Sequence, residues 1–399
     1  MLTTFQLIPA RRWFRPVDDV RALTVGGKEG MFVARPAFVE SLDPPDFFAD
    51  PAEVAGIGDG RSLGYALDDF RLSVDDAFLA ALDDARVEKM ATLPFPTNTY
   101  HVFVAPSLAL AETQHHSSGH AHMMRHLGEE TEAPLEGGGT VRTTLREPRE
   151  PDQHVRGEAL LLAARFTHFN YFHWMIDLLP RLSFLDLFER PHQIELLLPD
   201  HRLTGFQRET LEALGVRNPM RGLNCHLARI DRLYVPSFFA PGGYSRQQIA
   251  WLSRWLRRAF GVDGWPAGRR RLWLSRADAK WRGVGNEAEV VRLLESRGFE
   301  TVVPGRMTVA EQARLFAEAE IVVAPHGAGN TNMLFAPAGA ILIEVIPSSC
   351  PNNCYYMLTK QNGQRYGRIL DPAAEALGGV LTVDLDKLAA VVDQALAAT

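Results

Sequence analysis

The segment "IVVAPHGAGNTNMLF", residues 321–335, holds the residues of this chain that are best suited to anion chemistry. An apolar run ends at His326 and small residues follow, which is typical of a strand that turns sharply into a helix. Glycines let the backbone approach a ligand, and helix N-termini attract anions. We predict a phosphate-binding corner made by the consecutive residues His326, Gly327, Ala328, Gly329, Asn330, Thr331 and Asn332. A plain structural turn with a helix cap is the alternative.

Two other phosphate or oxyanion motifs fit this corner less well. The dinucleotide fingerprint G-x-G-x-x-G would place a third glycine where the chain has Asn332. A hydrolase oxyanion loop would need a G-x-S-x-G elbow, which we do not find. Glu344, at the end of the next predicted strand, is suited to a ribose diol, because its two oxygens can accept from two hydroxyls.

A second group of candidate residues lies in "HFNYFHWMIDLLPRL", residues 168–182. His173 and Asp177 are four positions apart, so they share one face of a helix. A carboxylate beside an imidazole fixes its tautomer and raises its basicity, which predicts a general base. Asn170 is predicted to cap this helix or to hold an acceptor. A buried helix with a satisfied histidine is the alternative.

Further polar residues follow predicted strands nearer the C-terminus. Arg276 stands just past a strand, and its fork of donors suits a diphosphate. Lys280 and Arg282 follow in a segment that also fits a solvated loop. Asn286 is predicted to cap the next helix, and Glu311 either caps its own helix or contacts the donor.

The sequence gives little support for a metal ion. Five histidines crowd residues 115–126, namely His115, His116, His120, His122 and His126, but carboxylates and cysteines at ligand spacing are missing there. The "DLD" at residues 384–386 resembles a D-x-D metal motif, yet it directly precedes a helix and is better explained as a cap. We therefore predict no metal and no other cofactor.

Elements that would position these residues alternate from residue 157 onward. Buried strands such as "IELLLP" and "AILIEVIP" alternate with amphipathic segments such as "TGFQRETLEAL" and "NEAEVVRLLESRG". This order predicts an α/β fold with two doubly wound, Rossmann-like domains facing a cleft. Ligands in such folds bind beyond the carboxyl ends of the strands, where the candidate residues fall.

Domain bounds follow from the same pattern. Residues 1–155 are rich in proline and acidic clusters and are predicted to be an irregular part of the acceptor-side domain. Residues 156–262 form the core of that domain, and residues 268–375 form the donor-binding domain. The linker between them is rich in Gly and Pro. Residues 376–399 form a closing C-terminal helix.

Composition excludes several partner classes. The 399 residues carry a net charge of −6, which does not favour nucleic acid. No run reaches the roughly 18 apolar residues of a membrane span. Three cysteines and the lack of a signal pattern favour a reducing compartment, so the expected location is cytoplasmic.

Taken together, the segments resemble glycosyltransferase family 61, which includes plant xylosyl- and arabinosyltransferases and animal O-linked N-acetylglucosaminyltransferases. The matching pieces are "NYFHWMIDLLPRL", "LSRADAKWRGVGNEAEV" and "TVAEQARLFAEAEIVVAPHGAGNTNMLFAPAGAILIEV", within residues 157–375. The third is the most specific. The family usually has an apolar residue where this chain has Asn330.

The resemblance implies a GT-B fold and inverting transfer without a metal. The donor would be a nucleotide-diphosphate sugar, with UDP favoured, and the acceptor a hydroxyl of a glycan or lipid-linked oligosaccharide, as in cell-surface polysaccharide synthesis. Peripheral membrane association is compatible with this assignment. The sequence leaves the acceptor and the oligomeric state open. A sugar-nucleotide epimerase or oxidoreductase, and a non-catalytic nucleotide-sugar-binding protein, are the alternatives.

Overall fold

The computed structural model describes residues 3–8, 11, 14, 17, 19–24, 29–55, 57, 67, 69–92, 97–105, 108–110, 131–135, 138–145, 150–164, 166–237, 244–266, 268–279, 282–348, 352–371 and 379–399. Packing divides the chain into two compact units. Unit 1 comprises Met1–Phe38, Asp75–Thr204 and Val216–Pro241. Unit 2 comprises Val39–Val74, Gly205–Gly215 and Gly242–Thr399, so neither unit is one continuous segment.

The strands, in chain order, are β1 (Thr3–Ile8), β2 (Gly30–Arg35), β3 (Phe38–Ser41), β4 (Phe47–Phe48), β5 (Arg71–Val74), β6 (Ala77–Thr92), β7 (Thr97–Ala105), β8 (Leu108–Leu110), β9 (Thr131–Leu135), β10 (Gly138–Leu145), β11 (Gln153–Leu161), β12 (Glu195–Leu198), β13 (Met220–Gly222), β14 (Leu227–Pro236), β15 (Arg270–Leu274), β16 (Glu300–Val302), β17 (Ala319–Pro325), β18 (Ile341–Pro347) and β19 (Arg365–Asp371). The α-helices are α1 (Arg21–Thr24), α2 (Pro51–Ala55), α3 (Tyr171–His173), α4 (Gly205–Ala213), α5 (Arg246–Ala259), α6 (Glu287–Glu295), α7 (Val309–Ala317), α8 (Cys354–Gln361) and α9 (Leu385–Ala397). Short 3₁₀ helices cover Leu179–Leu187, Pro191–Gln193, Pro304–Arg306 and Ala328–Leu334.

Unit 1 is built on one mixed sheet, with the strand order β13-β12-β11-β14-β6-β7-β8-β1-β10-β9 and β2 beside β6. Strands β13, β12, β11 and β14 run parallel, and β14 pairs antiparallel with β6. After β11 the chain first builds β12 and β13 on one side and then returns to place β14 on the other. The strand order therefore reverses at β11, and in open α/β sheets such a point is where ligands bind.

The region before residue 155 differs from the sequence prediction. We expected it to be irregular, but it contributes strands β1 to β10. The stretch "FLAALDDARVEK" forms part of β6, where Asp83 and Asp84 are exposed while Ala85 and Val87 are buried. Acidic residues on the solvent face of a strand resemble a polar loop in the sequence, which explains the error.

The predicted amphipathic helix after β11 is a helical segment of three types. It begins as α3, continues as a π-helix over Trp174–Leu178, and ends as the 3₁₀ helix Leu179–Leu187. Pro180 lies in the first turn of the 3₁₀ part, where it has no N–H to donate to the preceding turn. The π-turn is an uncommon element that is often found at functional sites.

Unit 2 has a six-stranded sheet of parallel strands in the order β16-β15-β17-β18-β19-β4. If β15 to β19 are renumbered 1 to 5 in chain order, their order across the sheet is 2-1-3-4-5. This is the order of a doubly wound, flavodoxin-like sheet, and its switch point lies between β15 and β17. Strands β17 and β18 are almost wholly buried, as expected for a sheet covered on both faces. The predicted α/β class is confirmed.

Two local predictions in unit 2 are resolved by hydrogen bonds. Asn286 precedes α6 but makes no side-chain cap, so that prediction is wrong. Its amide instead pairs with the backbone of Val383, at 2.8 Å and 3.0 Å. Asp384 caps α9 by accepting from the N–H groups of Asp386 and Lys387, as predicted.

Among the described residues, no helix has the length and apolar character needed to cross a membrane.

Candidate active site

The backbone corner after β17 is shaped by contact with an arginine. The N–H of His326 donates to the carbonyl of Val345 at 2.8 Å, so the backbone follows β18 one residue past the strand. Gly327 is extended, with φ 177°, a conformation open to any residue. A Cβ at Gly327, however, would lie 1.7 Å from Nη1 of Arg276 and 2.8 Å from its Cζ. Glycine is therefore required because the guanidinium packs directly against the backbone.

The helix predicted after this corner is the seven-residue 3₁₀ helix Ala328–Leu334. Its N-cap is Gly327, and no side chain caps it, so the helix cap expected for a plain structural turn is not found. The N–H of Asn330 is already bonded to the carbonyl of Gly327 at 2.9 Å. A short 3₁₀ helix also has a weaker dipole than the α-helix we expected, because fewer peptide groups align.

Three predicted donor ligands of the corner are buried inside unit 2. Asn332 donates to Oε1 of Gln312 at 2.6 Å. Asn330 donates weakly to Pro325 O at 3.4 Å and to Glu344 at 3.5 Å, and Thr331 is fully buried. The observed contacts of Asn330 and Asn332 are thus with other residues of unit 2, beside the corner. A direct contact between them and a donor stays a prediction.

His326 is held by a buried carboxylate. Its Nδ1 lies 2.6 Å from Oε1 of Glu344, and the other Glu344 oxygen accepts from the Tyr366 hydroxyl at 2.5 Å. Burial, together with the charge of Glu344, raises the pKa of Tyr366 well above its ordinary value, so the phenol stays a donor. Since Nδ1 is engaged, Nε2 is the nitrogen of His326 that can meet a ligand.

Glu344 was predicted to hold a ribose. The structure places it at zero exposure with both oxygens hydrogen bonded, opposite the buried Arg368 on β19. Ribose binding would require those bonds to open, so it stays a prediction. The observed contacts make Glu344 a positioning residue that fixes the ring and tautomer of His326.

Arg276, which packs against Gly327, lies near a second arginine, Arg282. Burial lowers the pKa of Arg276, and the nearby charge of Arg282 lowers it further. Arg282 has a left-handed backbone, φ 58°, and its buried Nε has no hydrogen-bond partner among the described residues. Bringing two like charges together is unfavourable unless an anion completes the site. This cluster, defined by Arg276, Arg282, His326 and Gly327, is called the cationic corner below.

Tyr355 packs against the cationic corner from α8. Its ring centroid lies 5.1 Å from that of His326. Burial raises the pKa of Tyr355 well above its ordinary value, while the charge of Arg282 opposes that shift. No sequence pattern singled out Tyr355, and the sequence analysis left a solvated loop as the alternative for Arg282.

Glu311 has the capping role. Its Oε2 accepts from the Thr308 N–H at 2.8 Å, and the Thr308 hydroxyl accepts from the Glu311 N–H at 3.2 Å. This reciprocal capping box was one of the two predicted roles, and it is confirmed. A donor contact of Glu311 stays a prediction.

In unit 1 the predicted histidine and aspartate form a hydrogen-bonded pair. Nδ1 of His173 lies 2.6 Å from Oδ2 of Asp177, whose side chain is fully buried, while the His173 side chain is 15% exposed. Oδ1 of Asn170 accepts from the N–H groups of Phe172 at 3.0 Å and His173 at 3.4 Å, which confirms the predicted cap. The contact with Asp177 engages Nδ1 and thereby fixes the orientation of the His173 ring.

Arg181 completes this pair on the same helical segment. Burial lowers its pKa to about 10, and the charge of Asp177 opposes that shift. Arg181 therefore remains protonated at neutral pH and stabilises the ionised form of Asp177. The spacing of residues 173, 177 and 181, each four positions from the next, could have predicted that Arg181 lies beside the pair. The sequence analysis named only His173 and Asp177.

The structure thus brings the predicted residues together in two groups, one in each unit. Arg276, His326, Gly327 and Glu344 meet in unit 2, and Asn170, His173 and Asp177 meet in unit 1. The histidines of residues 115–126 and Lys280 lie outside the described residues. Within the described residues, no group of three His, Cys, Asp or Glu side chains is placed to hold a metal ion.

Comparison with known proteins supports one family. Residues 171–343 match the family model described as Glycosyltransferase 61, and this confirms the resemblance seen in the sequence. The matched range contains both groups of site residues except Asn170 and Glu344, which lie just outside its two ends. No curated protein matches the chain.

Proposed function

From the match of residues 171–343 to glycosyltransferase family 61, which implies glycosyltransferase activity, we propose a specific reaction for this chain. It transfers a sugar from a nucleotide-diphosphate donor, with UDP favoured, to a hydroxyl of a glycan or lipid-linked oligosaccharide, with inversion. Unit 2 binds the donor and unit 1 binds the acceptor, the division of labour that a GT-B enzyme would have. The pathway is cell-surface polysaccharide synthesis.

The observation that carries this proposal is the cationic corner. Arg276 and Arg282 lie close enough for one charge to lower the pKa of the other, and both follow the carboxyl end of β15 in the sequence. A diphosphate leaving group gains negative charge as its bond to the sugar breaks, and fixed cations stabilise that charge most in the transition state. Removal of one such donor typically costs about 10²–10³ in kcat.

His326 adds a third group to the same corner. Glu344 fixes its Nδ1, so Nε2 can donate to a phosphoryl oxygen when the ring is protonated. We therefore assign His326 to the leaving diphosphate and Glu344 to the orientation of His326.

Inverting transfer by a single displacement needs a base for the acceptor hydroxyl. The acceptor oxygen bonds to the anomeric carbon while the bond from that carbon to the diphosphate breaks. We assign the proton of the hydroxyl to Nε2 of His173, with Asp177 holding Nδ1 at 2.6 Å. Base catalysis of this kind contributes about 10²–10⁴-fold.

A thermal-shift panel of UDP-, GDP-, dTDP- and CMP-sugars tests the donor class. A ligand that binds only the folded state adds about 2.7 kcal/mol of stability at a hundredfold excess over its Kd. We expect a UDP-sugar to stabilise the protein and a CMP-sugar, which lacks a diphosphate, to leave it unchanged. The Arg276→Ala variant should lose the UDP-sugar shift.

Arg292→Ala is the matched control, because Arg292 is exposed on α6 in the same unit. It should retain the full shift. Release of NAD from the purified protein, or equal stabilisation by CMP- and UDP-sugars, would contradict the proposal and favour an oxidoreductase or a different binder.

A further inference from the structure

Hydrogen bonds define a turn between β11 and α3. The described residues of this loop, 162–164 and 166–170, follow the carboxyl end of β11, where the strand order of the unit 1 sheet reverses. The buried Thr167 hydroxyl donates to the carbonyl of Ala164 at 2.7 Å. The N–H of Asn170 donates to the carbonyl of Phe166 at 3.0 Å. These bonds fix the side chains of the loop relative to α3.

Four rings of this loop and α3 form a chain of aromatic contacts that includes the proposed base. Phe166 stacks on His173, with centroids 5.0 Å apart and planes 26° apart. Phe169 meets Phe166 edge-on at 6.3 Å and meets His168 edge-on at 4.5 Å. This set of rings, Phe166, His168, Phe169 and His173, is called the aromatic loop cluster.

The backbone of the cluster is held in an unusual conformation. Phe166 has φ 64°, in the left-handed region that bulky residues avoid. The surrounding turn maintains that conformation, and the result is that the Phe166 ring covers one face of His173. Strain of this kind persists where the structure needs a side chain in a particular place.

Phe169 is the member of the cluster that packing does not explain. Its side chain makes two ring contacts, yet the residue stays 46% exposed. A large apolar side chain left in water next to a proposed catalytic group indicates a ligand that covers it. The imidazoles of His168 and His173 place polar groups at the rim of this apolar ring.

We propose that Phe169 is the stacking platform for the acceptor sugar, which packs the C–H face of a pyranose ring against the phenyl ring. The proposal rests on the proposed function, because it names a part of the acceptor site beside His173. A pyranose has an apolar face and a polar rim. It therefore matches an aromatic ring bordered by hydrogen-bonding groups.

The composition of the cluster favours a sugar over a lipid surface. Membrane-binding surfaces present several apolar side chains together with a basic polar face. Here a single phenyl ring is strongly exposed, and its neighbours are imidazoles. A sugar ring needs only one aromatic face to stack on, while its hydroxyls bond to the rim.

Saturation-transfer difference NMR tests the proposal without turnover. The probes are methyl β-D-galactopyranoside, methyl β-D-glucopyranoside and methyl β-D-xylopyranoside, and the aromatic protons of the protein are saturated. The wild-type protein should transfer saturation to the C–H protons of one ring face of at least one probe. Phe169→Ala should weaken binding of that probe about tenfold, and Phe169→Trp should retain it.

Phe38→Ala is the matched control, since Phe38 is also exposed, at 39%, and lies outside the cluster. It should bind the probe as the wild type does, and near-native melting of both alanine variants shows that they are folded. The proposal is overturned if no probe receives saturation, or if Phe169→Ala binds as well as Phe38→Ala. Binding of phosphatidylglycerol vesicles through Phe169, without sugar binding, would overturn it too. The readout needs no donor, so a failure of the donor proposal is seen separately, in the thermal-shift panel.

Discussion

Replacement of Gly327 by alanine is a direct perturbation of the cationic corner. The added Cβ would lie 1.7 Å from Nη1 of Arg276, whereas non-bonded heavy atoms pack at about 3.5 Å, so the guanidinium must move by about 2 Å. The extended backbone of Gly327 accepts alanine without strain. The atom that must move is the end of a flexible side chain, so the fold should be retained.

A displacement of about 2 Å is enough to break a hydrogen bond, whose length varies by only a few tenths of an ångström. Hydrogen bonds to charged groups are worth about 1.5–3 kcal/mol, so Gly327→Ala should weaken UDP-sugar use about 10- to 150-fold in kcat/KM. Steady-state nucleotide release measures this ratio. Gly205→Ala is the control, because a Cβ there would meet no atom within 4 Å. Wild-type kcat/KM in Gly327→Ala would refute the reasoning.

Three further predictions concern the base, the buried carboxylate and a helix cap. His173→Ala should lower the transfer rate about 10²–10⁴-fold while donor binding, measured by thermal shift, is unchanged. Glu344→Gln should lower the free energy of unfolding by about 2 kcal/mol in urea denaturation, because an amide replaces the buried carboxyl group that is hydrogen bonded to both His326 and Tyr366. The capping bonds to Thr308 lower the pKa of Glu311 below its ordinary 4.5. The Glu311 carboxyl therefore binds a proton more readily in the unfolded chain than in the folded protein. The stabilisation that the cap adds to the folded state is complete above about pH 4.5, and it should be lost as the pH falls through the pKa of Glu311 in the folded protein. NMR titration of the Glu311 carboxyl measures this.

Each of these predictions has an outcome that would contradict it. If His173→Ala transfers sugar normally while Asp177→Ala does not, Asp177 is the base and His173 only binds the acceptor. If Glu344→Gln is as stable as Glu289→Gln, an exposed control on α6, the carboxylate does not hold His326 in solution. A Glu311 carboxyl that titrates at 4.5 or above would show that the capping box is not formed.

Strands β15 to β18 were easier to predict from the sequence than β19 and the strands before residue 155. Strands such as β17 and β18 are buried on both faces, so their continuous apolar runs are distinctive. Strand β6 pairs antiparallel with β14 and exposes Asp83 and Asp84. These two adjacent charges interrupt the alternation of apolar and polar residues by which a strand is recognised in a sequence. Pairing between residues more than a hundred positions apart leaves no local signal.

Contacts between residues close in sequence were easier to predict than contacts between distant segments. Spacing alone identified the pair His173 and Asp177, because helical residues four apart face the same way. The partner of His326 could not be predicted, since Glu344 reaches it from the neighbouring strand β18. Gly327 was assigned to a ligand, but its steric role depends on Arg276, which lies far away in sequence.

The central claim is that the cationic corner binds the diphosphate of a nucleotide, and isothermal titration with UDP and with uridine tests it most directly. We expect Arg276→Ala and Arg282→Ala each to weaken UDP binding about 10- to 150-fold, and the double variant to weaken it further. Uridine, which has no phosphate, should bind all variants and the Arg292→Ala control alike. A double variant that binds UDP with the wild-type Kd would contradict the account.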